Sequence, residues 1–230
     1  NGLYTAASKI PNFVILFSQI FIDAWQLSAV DEYDQEGGRQ FFTKVFRVYS
    51  GGIFAVASVL ILLCQFITKI LVAKSYYDSW QFVPILIIAT TYSCVVNFLA
   101  SIYMAEKKNV MSLVTAMSGA ITNFVLNLVF IPRIGANGAA LATVCAFLVV
   151  FVTRAIDTRR FIKIDFKLPV LLGETAVLVT QSILLLKYDG TLWVYIIEVL
   201  LVVVMLLLNL KPIKELVNLI LAKFLKKRKN

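Results

Sequence analysis

Residues 80–104, WQFVPILIIATTYSCVVNFLASIYM, contain no charged side chain. A helix needs ~20 predominantly apolar residues to cross the hydrocarbon core of a bilayer, so this stretch is long enough to span one. Two further runs, 109–131 and 135–153, are equally free of charge. Four more apolar runs complete the pattern at 3–30, 46–68, 168–186 and 190–210, interrupted by Lys9 and Asp23 in the first, Glu174 in the sixth and Glu198 in the last. Run length and the absence of period-two alternation predict helices rather than barrel strands. The expected fold is all-α, a polytopic transmembrane helix bundle of about seven spans over residues 1–210. A basic amphipathic tail follows over 211–230, where Ile213, Leu216, Val217, Ile220, Leu221 and Phe224 share one helical face.

Composition agrees. The chain is 60% hydrophobic and 15% charged, against ~25% charged for an ordinary soluble domain. The net charge of +9 does not indicate nucleic acid, because the basic residues sit between apolar runs and in the tail, where phospholipid headgroups are their natural partners. Histidine is absent, and Cys64, Cys94 and Cys145 each lie inside an apolar run without metal-ligand spacing. No nucleophile elbow or phosphate-cradling glycine loop occurs. Asp31, Glu32, Asp34 and Glu36 precede Gly37-Gly38 without calcium-loop spacing and read as a solvated turn. The expectation is a protein that is not an enzyme and holds no cofactor or metal. The chain starts Asn1-Gly2-Leu3, which reads as the interior of a longer one.

Connections on one side hold Arg39, Lys44, Arg47, Lys107, Lys108, Arg154, Arg159, Arg160, Lys163 and Lys167, with seven more basic residues in the tail. The other side holds Lys69, Lys74, Arg133 and Lys187. The positive-inside rule then places the loaded side, and the C-terminus, in the cytoplasm.

The stretch from Tyr103 to Val144 carries Asn123, Asn127, Ile131, Pro132, Gly135, Gly138, Ala139, Ala140 and Thr143 in the pattern Asn-x-x-x-Asn-x-x-x-Ile-Pro-x-x-Gly followed by Gly-Ala-Ala and Thr. It resembles the oligosaccharide (Wzx-type) flippases of polysaccharide export, in the superfamily that includes multidrug/toxin (MATE) exporters and the lipid II flippase. The opening Gly2-Leu3-Tyr4-Thr5-Ala6-Ala7-Ser8-Lys9 resembles the start of that family's eighth span. The resemblance implies the C-terminal lobe of a fourteen-span protein in a bacterial or archaeal cytoplasmic membrane. That protein would flip an undecaprenyl-diphosphate-linked oligosaccharide by alternating access.

Lys9 is the sharpest candidate. It either snorkels to the interface or, as the resemblance implies, lines the cavity that receives the substrate pyrophosphate. Pro11 is expected to loosen the helix there. Asn123 and Asn127, four apart, must face another helix or a wet cavity; interhelical hydrogen bonding is one reading and substrate contact the other. Pro132 is expected to end their helix, with Gly135 and Gly138 making a tight reversal. Gln19 and Asp23 share a face and are candidates for a coupling cation, Na+ or H+, although Asp23 also fits a simple interfacial role. Glu174 and Glu198, ionisable groups within spans, are functional candidates by default, and the resemblance makes a structural or lipid-facing groove role an equal reading; Asn97 and Gln65 read as polar residues within spans.

The implied partners are the lipid-linked oligosaccharide, membrane lipids, an N-terminal lobe of the same chain and polysaccharide polymerase or export machinery. The alternatives are a multidrug exporter or lipid II flippase, a non-transporting scaffold of a polysaccharide synthase and, last, a membrane-embedded enzyme.

Overall fold

The computed structural model describes residues 2–33, 38–188, 190–210 and 214, with side chains from 24 to 38 left out. Among these residues every regular element is a helix: α1 (Gly2–Ala7), α2 (Pro11–Tyr33), α3 (Gly38–Leu71), a 3-10 stretch (Lys74–Phe82), α4 (Val83–Ala105), α5 (Asn109–Asp157), a short 3-10 turn (Thr158–Arg160), α6 (Leu168–Lys187) and α7 (Leu192–Leu208). Four of these segments are long and apolar enough to cross a membrane (39–71, 74–105, 109–160 and 168–187), and Pro11–Asp23 and Leu192–Leu208 are shorter apolar helices. The chain is an all-α membrane helix bundle.

The 49 residues of α5 would extend ~74 Å at 1.5 Å per residue, far beyond a hydrocarbon core of ~30 Å. The helix is in fact a hairpin. Ile134 (φ −132°) and Gly135 (φ 59°, ψ −136°) leave the helical region and divide it into limbs 109–133 and 136–157. Arg154 reaches Ser112 and Thr115, Gly119 abuts Val150, Asn123 meets Thr143, and Gly138 lies on Phe130. As one partner's number rises the other falls to match, so the limbs are antiparallel. Counting them separately recovers the seven apolar segments of the sequence.

Three local expectations are corrected. Pro132 does not end its helix. It is carried inside the first limb, and the break falls at Ile134–Gly135, where glycine tolerates a positive φ. The run 3–30 is not one helix: it breaks at Ser8–Lys9–Ile10, and Pro11 opens α2 with no N–H to satisfy. Arg154, expected in a connection, lies within the second limb of α5 and is 5% exposed. The helix reaches one turn further because that guanidinium finds acceptors inside the bundle.

The centre of the bundle is α4, which packs against α2, α3, α5 and α6. Its Phe98 stacks on Tyr49 of α3 at 5.3 Å and meets Phe46 edge-on at 5.5 Å. At the end that carries most basic residues, 161–167 forms an extended strap: Ile162, Ile164 and Phe166 are buried, while Lys163, Asp165 and Lys167 are exposed. Arg39 donates to the Lys163 carbonyl (2.8 Å) and Arg47 to Asp165 (2.7 Å), so the strap is tied to α3. The Lys167 backbone N–H, then the nearby Arg47 and Lys167 cations, hold the Asp165 carboxyl below the usual carboxylate range. The tail and the acidic 31–36 segment fall outside the described side chains, Lys214 excepted.

Two outcomes follow. A Cβ at Gly138 would lie 2.5 Å from the Phe130 carbonyl oxygen, so Gly138→Val should destabilise the hairpin by ~1–3 kcal/mol, measured as a lowered unfolding midpoint in detergent. Asp165, with its lowered pKa, contributes stability above the ordinary carboxylate pKa and loses it as pH falls through its own. Because the pair is about half exposed, Asp165→Asn should cost less than ~1 kcal/mol at neutral pH and flatten the acid limb of the stability–pH curve.

Candidate functional site

The site begins with a face of α4 that none of the described helices covers. Successive residues of a helix turn by ~100°, which puts Thr90, Ser93, Asn97 and Met104 in one line; Asn97 and Met104 are exposed, Thr90 and Ser93 half-buried. On one side of this line, Cys94 is in contact with Ser18 of α2. On the other, the Val96 carbonyl accepts from Arg154 of α5 at 2.7 Å. The line therefore floors a groove between α2 and α5.

The α5 side of the groove is a cavity of about 390 Å³ lined by Asn97, Gly119, Asn123, Thr143 and Arg154. On the α2 side, Phe17 lies near Gly52 and Phe21 packs on Tyr49, both of α3. The α2 face turned away from α3 carries Asn12, Leu16, Gln19 and Asp23 at spacings of three and four, all exposed. Gln19 donates to Asp23 at 3.1 Å. Lys9 stands exposed at the break just before α2. At that end Leu3, Tyr4 and Thr5 of α1 approach Gly135, Ala136 and Ala139 across a pocket of about 520 Å³, which narrows the groove.

The α5 wall is held by a buried cation. Arg154 donates to Thr115 Oγ1 (3.1 Å), the Val96 carbonyl (2.7 Å), and the carbonyl (3.2 Å) and hydroxyl (3.3 Å) of Ser112. It also lies over the Tyr103 ring, 5.9 Å from its centroid, and Tyr103 donates to Asp157 (2.9 Å). Every hydrogen-bond acceptor is neutral, and among the described residues no carboxylate is within salt-bridge distance. The guanidinium joins both limbs of α5 to α4.

The other span-borne acids belong to packing between helices. Glu198 is fully buried; Gln181 donates to it at 2.8 Å and accepts from Ser58 at 2.8 Å, tying α7, α6 and α3 together. Glu174 is 2% exposed and interacts with Asn209. Gln65 accepts from Tyr195. Asn123 donates to Thr143 (3.3 Å) and Asn127 to Asn123 (2.9 Å). The pair thus makes the interlimb bond that is one of its two expected readings, while Asn123 also reaches the cavity. Lys9, Gln19 and Asp23 lie on the exposed α2 side, and Asn123 and Asn127 on the α5 side. Arg154, Asn12, Ser58 and Gln181 were not candidates from sequence. The seven-and-four spacing of Asn12, Gln19 and Asp23, which puts them on one helical face, is a signal for the second, and nothing marks the others apart from neighbouring polar residues. Among the described residues no group of three potential metal ligands forms.

No family model, curated protein or solved structure matches this chain.

The Arg154 cluster makes a direct prediction. Arg154→Lys keeps a charge but loses the planar fork that reaches acceptors on three residues at once. It should lower stability by ~1–3 kcal/mol, read as a fall in the unfolding midpoint.

Proposed function

We propose that this chain forms one wall of a membrane transporter that passes the polar head of an amphiphile across the bilayer, and that the amphiphile is a lipid-linked oligosaccharide with a diphosphate linkage. The observation that carries this reading is the polar line Asn12, Gln19 and Asp23, with Lys9 above it, on an exposed face of an otherwise apolar helix segment. Acyl chains offer such groups no hydrogen bonds, so this face belongs against a wet cavity or a polar partner. A preceding lobe of the same chain supplies the opposite wall. Lys9 attracts phosphate as a point charge, and the amides of Asn12, Asn97 and Asn123 offer donors and acceptors to sugar hydroxyls.

The basic end faces the cytoplasm by the positive-inside rule, in a bacterial or archaeal cytoplasmic membrane beside polysaccharide polymerase or export machinery. Rocking of the two lobes exposes the groove to each side in turn. Gln19 and Asp23 hold the coupling Na+ or H+. The protein works as a transporter rather than an enzyme. The exposed Asp23 carboxylate favours a second reading, export of cationic compounds, for which Lys9 would be a hindrance.

The test uses the full-length protein in vesicles loaded with a fluorescent lipid-linked oligosaccharide. Lys9→Ala should slow flipping tenfold or more, the equivalent of ~1.4 kcal/mol of lost contact, and Asp23→Asn should abolish dependence on the ion gradient. Undiminished flipping by Lys9→Ala removes the phosphate contact. Cation export that Lys9→Ala accelerates establishes the second reading.

A further inference from the structure

At the end opposite the strap the groove runs up against α1, which the turn Ser8–Lys9–Ile10 separates from α2. On one side α1 rests on the 3-10 stretch. Gly2 lies on Tyr76, whose ring a Cβ would meet at 2.9 Å, and Tyr4 packs against Phe82 with ring centroids 6.4 Å apart. On the other side the Tyr4 hydroxyl interacts with Thr143 of the second limb of α5. The helix thus leans on the 3-10 stretch and reaches α5 through Tyr4, across the mouth of the groove.

Three observations make α1 able to turn. The backbone bonds close on either side of the Lys9–Ile10 junction: Ser8 donates to the Tyr4 carbonyl (3.1 Å), Lys9 to Ala6 (3.3 Å) and Phe13 to Ile10 (3.0 Å). None of the three crosses it, and Pro11 has no N–H with which to do so. The pivot itself is fixed, because Ala7 and Ile10 are buried in the core while Leu3 and Thr5 stand exposed. Beside α1 lies empty space, the pocket of about 520 Å³ that separates it from Gly135, Ala136 and Ala139. A short helix pinned at one end, with few bonds at the pivot and a void beside it, can move as a rigid body. Thr143 is by contrast a fixed catch. Its hydroxyl donates to the Ala139 carbonyl (2.8 Å) and accepts from Asn123 (3.3 Å), so it meets Tyr4 as an acceptor, and it lines the groove cavity beside Asn123.

We propose that α1 is a gate over the end of the groove opposite the strap, hinged at the Lys9–Ile10 junction and latched by Tyr4 on Thr143. With the latch made, α1 narrows the mouth of the groove. With it broken, α1 tilts from α5 toward the 3-10 stretch, and the way past Asn97 opens. The inference rests on the transport reading, which gives the groove its opposite wall and something to admit.

The experiment measures thiol access in the full-length protein in vesicles, with Cys64, Cys94 and Cys145 replaced by alanine and one cysteine introduced as Asn97→Cys. A membrane-impermeant maleimide is added at the face that bears α1, and the thermal transition confirms that each variant is folded. Tyr4→Phe, which keeps the ring and removes the hydroxyl, should speed labelling about fivefold or more by shifting the gate toward its open state. Thr143→Val should do the same, and the double variant should go no further than either, since both remove one contact. Tyr4→Phe alone decides if the threonine variants do not fold. Ser58→Cys, buried on α3, should stay slow to label in every background. Labelling indifferent to Tyr4→Phe, additive effects in the double variant, or equal acceleration at Ser58→Cys would each overturn the gate. Flipping of the fluorescent lipid-linked oligosaccharide is scored separately: its absence from the unaltered protein overturns the transport reading, while the labelling rates still decide whether α1 opens.

Discussion

Hydrocarbon offers no hydrogen bonds, so every polar atom within a span must find its partner inside the protein or face something that is not lipid. This constraint sorts the polar side chains of the bundle. Thr68, Thr91, Thr122, Thr143 and Ser182 bond back to the carbonyl four residues earlier in their own helix, at 2.7–2.8 Å, and need nothing from a neighbour. Tyr49 shares a 2.6 Å bond with Ser18 and donates to the Cys94 carbonyl at 3.0 Å, which joins α2, α3 and α4. Ser58, Gln181 and Glu198 form a chain across α3, α6 and α7. Such groups hold helices together in a medium where apolar contact alone confers little specificity. Asn12, Gln19, Asp23 and Asn97 remain on exposed faces, and the proposed transport role draws on them.

The same constraint explains why α4 sits at the centre. Buried on most sides, it can afford few free polar atoms, and those it has are used as anchors for its neighbours. The Cys94 and Val96 carbonyls accept from Tyr49 and Arg154 in addition to their helical donors, as shared acceptors commonly do. Tyr92 shares a 2.6 Å bond with Thr175 of α6, and Tyr103 reaches Asp157 of α5. The helices α3, α5 and α6 are therefore each fixed to α4 by a hydrogen bond as well as by packing.

Much of the fold was legible because run length alone separates spanning helices from other structure. The runs 80–104 and 109–131 correspond closely to α4 and the first limb of α5. Helix ends were less legible. The chain through Arg154 reads as a connection by charge, yet buried acceptors on two other helices extend the helix to Asp157. Pro132 reads as a terminator, yet in a membrane helix its missing hydrogen bond does not force a stop, and the stop comes where glycine allows the turn. The pairing of Asn123 with Asn127 was visible from their spacing. The partner of Asn123, Thr143, lies on the other limb and could be identified only once the hairpin was known. The strap shows the same limit: its alternation of buried and exposed residues is plain in 161–167, but the α3 side chains that hold it come from more than 115 residues away and leave no local signal.

Two cations near the groove illustrate how burial separates structure from function. Arg154 is the more conspicuous, a guanidinium within a span, and by charge alone it would be the natural phosphate ligand. Its hydrogen-bonding geometry argues otherwise. Donors on all three of its nitrogens are committed to Thr115, Val96 and Ser112, and recruiting them for a ligand would break the joint between α4 and both limbs of α5. Lys9 is exposed, stands at a break where its backbone N–H donates to Ala6, and its ammonium has no partner among the described residues. An ammonium on a flexible stem can follow a moving phosphate at little conformational cost, whereas a fork held by three residues cannot. A substrate that must enter and leave calls for the uncommitted cation, which is why the transport reading rests on Lys9 and the stability of the wall on Arg154.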